Sequence, residues 1–476
     1  MSLSKKSRPY FNHSVEFKKN FTKEERGEAL SKAGLNVFFF PSEMITGCDL
    51  LSDSGTTTMT NEQWAAMHLG DESYGSNRGY FLLLEQIKET FGGEFLSFIF
   101  HQGRPAEDAL FTLIGRLGKE LVIPSNGHFD TTEANIEANN IRALNLFSPE
   151  LKNENSHSCF KGDMDVKKLN DLLEKSKDKI PLIYLTITNN TGGGQPVSLK
   201  NIKEVSDIAH ERNIPFFLDA CRFAENAWFI KKYEEGQEDK EIKEIVKEIF
   251  SCADGFTISF KKDGLVNMGG GVFIKQDGLF VKKYPQMPDA LMNYQITKEG
   301  HPTYGGLSGR DIMALSFGLR TVLKEEYLDY RINQVQEFGG AMKEGGLPIV
   351  TPVGGHAVYL DINKFFEGSK MKPGDFGGVA LTALLLSEYG HRACELGYFA
   401  FGSYNKETGE EIFPEVNYVR FAVPRLRYEK QDLDSVAGAV VELYKNRDKI
   451  PGVNVVYGKD LPLRHFKAKF EFKFLL

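Results

Sequence analysis

The chain reads as an α/β protein, with a large domain built on a mainly parallel sheet and a smaller α+β domain. Three observations predict this. From about residue 94 to 275, short apolar runs alternate with stretches of helical spacing, the pattern of strands joined by helical crossovers. Several runs end in glycine-bearing polar turns, Gln102-Gly-Arg104 and Gly192-Gly-Gly194 among them. Beyond about residue 327 the alternation loosens, and no linker is long enough to separate independently moving modules. The expected large domain covers 57–325, and the small one combines 1–56 with 326–476.

Taken in order, 23–33 has helical spacing, 37–40 is an apolar patch, and 52–58 is a loop by composition. Helical spacing returns at 61–68 and 78–91. Residues 94–100 form a buried strand that runs into His101-Gln-Gly-Arg104, and a helix follows over 106–117. Short strands are expected at 121–124 and 142–147, a helix at 165–175 and a strand at 182–188. Ser198 caps a helix over 199–212, and 215–219 is the next strand. The charge-rich stretch 231–250 reads as one amphipathic helical region. Then Thr257-Ile-Ser-Phe-Lys-Lys-Asp263 and Gly269-Gly-Gly-Val-Phe-Ile274 read as strand, polar turn and strand. In the last third, 331–343 and 431–446 are helical, and 358–361 and 418–423 are strands.

Composition narrows the function. Of 476 residues, 41% are hydrophobic and 26% charged, an ordinary globular mixture. The net charge of -7, with no basic block, favours neither nucleic acid nor an anionic membrane as partner. No apolar run approaches a membrane span, and the first residues carry no apolar signal segment. The five cysteines are scattered and lack CxxC spacing, which argues against disulfides or a zinc site and for a reducing cytoplasm.

In an open α/β sheet, ligands bind outside the carboxyl ends of the strands, and four chemical signals fall there. Gln102-Gly-Arg104 ahead of a helix offers backbone N–H groups and a guanidinium to an anion, although an ordinary strand-to-helix turn looks similar. Asn190 follows a strand and precedes the glycine turn. Asp219 ends a strand with Arg222 three residues on; the carboxylate could hold a pyridinium nitrogen or simply cap a helix. Ser259 and the pair Lys261–Lys262 complete the set. A lysine desolvated beside another cation loses its proton more readily and suits a Schiff base, while solvated lysine pairs are also common in loops. With Phe129 available to stack on a ring, the series matches what pyridoxal 5'-phosphate requires: an amine for its aldehyde, an anion site, a carboxylate and an aromatic face.

The strings Leu51-Ser-Asp-Ser-Gly55, Gly70-Asp-Glu-Ser-Tyr74, His101-Gln-Gly-Arg104, Phe129-Asp-Thr-Thr132, Gly193-Gly-Gln-Pro-Val-Ser198, Arg222-Phe-Ala-Glu-Asn226, Lys261-Lys-Asp263, Pro302-Thr-Tyr-Gly-Gly306, Arg420 to Arg425 and Leu463-Arg-His-Phe466 resemble, in order, those of the β-eliminating lyases, the tryptophanases and tyrosine phenol-lyases. The resemblance implies the aspartate-aminotransferase type of pyridoxal-phosphate fold and a carbon–carbon lyase. By that resemblance Lys262 would bind the cofactor aldehyde and take the α-proton. Gln102, Gly103, Arg104 and Ser259 would hold the phosphate, Phe129 would stack on the ring, and Asp219 would pair with its nitrogen. Arg222 and Asn190 would lie near the ring hydroxyl, and Lys261 would be the cation next to Lys262 at the cofactor. Arg420 would take the substrate carboxylate, with Asn190 and Ser54 also on the substrate, and Tyr74 would protonate the leaving group from a neighbouring chain of a homotetramer. A potassium-type cation would use Gly55, Glu72 and Asn267.

Three positions separate the two branches of the family, and all three resemble the tryptophan-splitting one. Asp130 follows the stacking aromatic, Leu396 stands where phenol-lyases carry an arginine, and His465 stands where they carry phenylalanine. An apolar Leu396 offers nothing to a phenol oxygen, and Asp130 could accept an indole N–H. A tyrosine phenol-lyase or another β-eliminating lyase is the alternative, and an aminotransferase a more distant one. Phe260 and Pro105 depart from the family pattern, and Phe260 is expected to crowd the cofactor rim.

Overall fold

The computed structural model describes residues 8–473 except 13, 152, 154, 155 and 157. The chain divides into two compact units, Ser54–Ile332 and the combination of the segment up to Asp53 with Asn333 onward. Those boundaries lie at 53/54 and 332/333 rather than at 56/57 and 325/326. Among the described residues no helix is long and apolar enough to cross a membrane.

The larger unit is organised by a five-stranded sheet in the order Phe95–Phe100, Gly270–Lys275, Gly255–Ser259, Phe216–Asp219, Ile183–Thr186. The last three pair in parallel. Gly270–Lys275 is antiparallel to both its neighbours, so it alone runs against the other four. Val122–Ser125 and Arg142–Asn145 form a separate parallel pair. The strands Ile183–Thr186, Phe216–Asp219 and Gly255–Ser259 are buried at every position. Burial on both faces is why they read as continuous apolar runs instead of alternating ones. Because four strands share a direction, Phe100, Thr186, Asp219 and Ser259 all end at one edge of the sheet.

The helices depart from expectation in instructive ways. Gly103–Ile114 begins three residues earlier than the spacing indicates, because Pro105 sits in its first turn, where a missing N–H is harmless. The stretch read as one helical region is two helices, Phe223–Tyr233 and Ile242–Ser251, the second opened by a Glu241–Glu244 capping box. Asp130–Ala138, Met287–Lys298, Gly309–Val322 and Gly377–Tyr389 are helices that the periodicity does not anticipate. Gly377–Tyr389 is buried almost all round, so it has no polar face to produce a helical period. Ser198 does cap Leu199–Glu211, its hydroxyl accepting from the Asn201 N–H at 3.0 Å.

The other unit is built on a three-stranded antiparallel sheet, Ala357–Asp361, Tyr418–Ala422 and Cys394–Leu396. Its apolar core joins Leu30 and Phe40 from the N-terminal segment to Leu360, Leu385, Phe421 and Val440. The fully buried Arg425 reaches Asp53 at 3.0 Å, tying that segment to the C-terminal part.

Candidate active site

At the common edge of the large sheet, backbone approaches are unusually close. A Cβ on Gly103 would lie 2.7 Å from the Ser259 Cβ, and one on Gly270 would lie 2.2 Å from the Gln102 carbonyl carbon. Glycine at these positions lets the Gln102-Gly-Arg104 turn lie directly against the strands that carry the lysine pair. Gln102 is the extended N-cap of Gly103–Ile114 and makes no side-chain cap bond, and a helix start of this kind suits an anion. Arg104 is exposed and Ser259 is buried beside it.

The lysine turn is held from both sides. The Lys262 N–H donates to the Ser259 carbonyl, and its Nζ lies 4.0 Å from the Cys221 Sγ. The same sulfur accepts from the Ser259 N–H at 3.3 Å. Burial pushes the Lys261 amine below its usual value, and the cations of Lys262 and Arg104 add to the effect.

Asp219 is 5% exposed, its Oδ1 accepting from the Cys221 N–H at 3.3 Å. It does not cap the following helix. That task falls to Asp263, whose carboxylate accepts from the Ala224 N–H at 2.8 Å and the Glu225 N–H at 3.2 Å. Asp263 thus joins the lysine turn to the start of Phe223–Tyr233, whose N-cap is the buried Arg222. Asn190 is buried four residues beyond the strand Ile183–Thr186, in a turn where Gly193 and Gly194 take φ of 84° and 72°. Asn189 builds that turn, accepting from the Gly192 N–H and donating to the Asn126 carbonyl. Phe129 is half-buried at the N-cap of Asp130–Ala138, and Asp130 is buried, accepting from the Thr131 N–H at 2.6 Å.

Phe260 is no rim residue. It is fully buried against the Phe273 ring at 6.0 Å, its N–H bonded to the Gly269 carbonyl. This corrects the expectation that it crowds the cofactor, because it points into the sheet's core.

Tyr74 is 75% exposed, with edge-on contacts to His301 and Tyr304; the Tyr304 hydroxyl pushes its phenol pKa above the usual value. Gly55, at φ 71°, and Asn267 are neighbours, since the Asn267 Nδ2 donates to the Gly55 carbonyl at 3.0 Å. Glu72 lies instead against Arg310 at 3.4 Å. Among the described residues no cluster of three His, Cys, Asp or Glu side chains could hold a metal ion. A single chain therefore brings together two of the three expected cation ligands. Ser54 lies next to Gly55 in the same unit.

In the other unit, Arg420 is buried and donates to the Leu51 carbonyl at 3.1 Å. Leu396 is 4% exposed, and its strand pairs with that of Arg420, Tyr418 facing Leu396 and Arg420 facing Cys394. His465 is buried and packs edge-on against Phe38 at 5.9 Å.

Sequence reasoning missed three contributors. Cys221 gave no local signal, and Asp263, though part of the Lys261-Lys-Asp263 string, gave none of its capping role, because what matters is which distant backbone each meets. Glu107 did give one: it is a carboxylate at a core position of the amphipathic helix Gly103–Ile114, between Ala106 and Leu110.

Lysine amine, buried carboxylate and helix N-terminus at the carboxyl edge of this sheet define a ligand-binding enzyme on an aminotransferase-type α/β scaffold. The solved structure of serine palmitoyltransferase from Sphingomonas wittichii shares that scaffold, with a TM-score of 0.56 at 11% identity over 85% of this chain and 89% of its own. The family profile described as beta-eliminating lyase matches residues 49–439. A tryptophanase from Hyphomonas neptunium is 41% identical over 465 residues, covering 97% of this chain and 98% of its own. A tyrosine phenol-lyase from Lacrimispora saccharolytica is 39% identical over 464 residues, covering 97% and 96%. The chain belongs to the β-eliminating lyase family and is a lyase.

Proposed function

We propose that the enzyme splits L-tryptophan into indole, pyruvate and ammonia with pyridoxal 5'-phosphate as cofactor. The relatives of both names are about equally similar, so overall identity does not choose the substrate. The observation that carries the choice is Leu396, a buried apolar side chain on the strand beside Arg420, where a phenol substrate would require a charged partner. Asp130 and His465 point the same way.

The residues present fit the cofactor. The helix start at Gln102, Gly103 and Arg104, with Ser259, suits a phosphate, the Lys262 amine suits an aldehyde, and the buried Asp219 suits a protonated ring nitrogen, with Arg222 and Asn190 near the ring hydroxyl. When bound, pyridoxal phosphate supplies the electron sink that stabilises negative charge at the substrate Cα. The chain supplies the rest. Lys262 moves the α-proton, with Lys261 as its neighbouring cation. Arg420 orients the substrate carboxylate as a bidentate partner, and Ser54 and Asn190 also bind the substrate. Tyr74 delivers a proton to the leaving carbon, Asp130 accepts the indole N–H, and His465 is a further catalytic residue.

The exposure of Tyr74 at 75%, Phe81 at 53% and Trp64 at 52% supports a homotetramer that covers them. Native mass measurement tests it. The cation reading through Gly55, Glu72 and Asn267 is tested by potassium dependence of activity. The deciding experiment supplies tryptophan to cofactor-saturated protein and measures indole and pyruvate. A visible cofactor band lost in Lys262→Ala, with no indole from the wild type, would leave the cofactor standing and sink the substrate.

A further inference from the structure

Behind Asp219 lies a second buried carboxyl that the reaction as described does not use. Glu107 sits one helical turn after Arg104 and is 7% exposed. Its Oε1 accepts from the Thr132 hydroxyl at 2.8 Å, and the Tyr184 hydroxyl lies 3.5 Å from the same oxygen. Tyr184 is also hydrogen-bonded to Thr257. Thr257 is the register partner of Asp219 across the parallel pair, and Thr186, on the strand of Tyr184, faces Asp219 from the other side. Phe111 and His128 close over the Tyr184 ring, at 5.7 and 6.1 Å. Glu107 is thus set in a dry polar cluster under the Asp219 strand end, and among the described residues it has no ion-pair partner.

The charges around it come from every packed element. Asp219 faces it from its strand, Lys262 from the lysine turn, Arg104 from its own helix and Tyr184 from the neighbouring strand. Burial first, and then the Asp219 charge, push the Glu107 carboxyl up to about 8; the Thr132 bond, Lys262 and Arg104 act the other way. Tyr184, held well above the usual phenol value by burial and both carboxyls, stays neutral, as does His128, pushed down to about 4 by burial. Glu107 therefore carries its proton at neutral pH.

We propose that Glu107 is a positioning residue that releases this proton when a cationic ring nitrogen settles against Asp219. The cation cancels the Asp219 charge that helps keep Glu107 protonated. The carboxyl then becomes carboxylate, and the proton passes to the ring nitrogen if that arrives neutral, or to solvent if it arrives charged. Either way the protein contributes a second negative charge beneath the ring only once the ring is there. The inference rests on the cofactor reading above.

The test counts protons. Pyridoxal phosphate is titrated into ligand-free wild type and Glu107→Gln at pH 7.5, in buffers of different ionisation enthalpy, with absorbance reporting binding. Because the route of the proton shifts both counts equally, the difference isolates Glu107. Wild type is expected to release about 0.5–1 proton more than Glu107→Gln. Equal counts with both proteins binding overturn the inference and leave the cofactor reading intact. A wild type that binds no cofactor overturns both. Should Glu107→Gln not fold, the infrared difference spectrum of wild type decides: loss of a protonated-carboxyl stretch on binding supports the inference, and its persistence refutes it.

Discussion

Asp263→Ala removes a carboxylate that no residue nearby can replace. It is fully buried and accepts from the Ala224 and Glu225 N–H groups at 2.8 and 3.2 Å. Without it, two N–H groups at a buried helix start lose their acceptor, at about 1–3 kcal/mol each. A helix cap of this kind contributes about 0.5–2 kcal/mol when measured by truncation. The two views together place the loss at about 2–5 kcal/mol, because the burial at this helix start leaves no room for water to substitute. The assay is the urea midpoint of the cofactor-free protein, with the slope checked to be unchanged. Asp263→Asn keeps one carbonyl acceptor and is expected to lose about half as much. Because this helix start carries Arg222 and the turn carries Lys262, cofactor affinity should fall in the same order. A midpoint for Asp263→Ala within about 0.5 kcal/mol of wild type would refute the capping argument, that being the ordinary range for a neutral surface change.

Other perturbations follow from the same geometry. Gly103→Ala drives a Cβ to within 2.7 Å of the Ser259 Cβ, so the helix start must move; cofactor affinity should drop at least about tenfold, roughly 1.4 kcal/mol, and an unchanged dissociation constant would contradict the close-packed anion site. Leu396→Arg should depress indole release from tryptophan while sparing pyruvate formation from S-alkyl cysteine, and equal losses on both substrates would remove Leu396 from the substrate pocket. His210 pairs with Asp254 at 2.8 Å, and that bond raises its imidazole above the ordinary value. The stabilisation is fully present below the unfolded pKa of about 6.5 and fades as pH rises through the higher folded value, so His210→Gln should destabilise at pH 6 and scarcely at pH 9. Since the ring is partly exposed, solvent screening keeps the effect small, within about 1 kcal/mol, and a flat pH difference between the two proteins would refute it.

Legibility differed by the range of the interaction involved. Fully buried parallel strands such as Phe216–Asp219 announce themselves as apolar runs, and the anion turn at Gln102, the carboxylate Asp219 and the lysine pair lie where each such run stops. The helix Gly377–Tyr389 did not announce itself, because burial on all sides erases the period that marks a helix. Phe260 looked like an intruder at the cofactor rim and is in fact the core residue that packs on Phe273. The downward push on the Lys261 amine comes first from burial, then from Lys262 next to it in the chain and from Arg104 on another element.

From the amino-acid order alone came the α/β class, the family and the positions at which reactive side chains leave the sheet, because strand periods and motif spacings are local and survive without a partner. Only the tertiary structure decided that Asp263 caps the helix behind Arg222, that Cys221 lies between Ser259 and Lys262, and that Glu107 sits under Asp219. Each of those depends on groups far apart in sequence meeting in a dry interior, where hydrogen bonds and charges act strongly and where no local pattern records the partner.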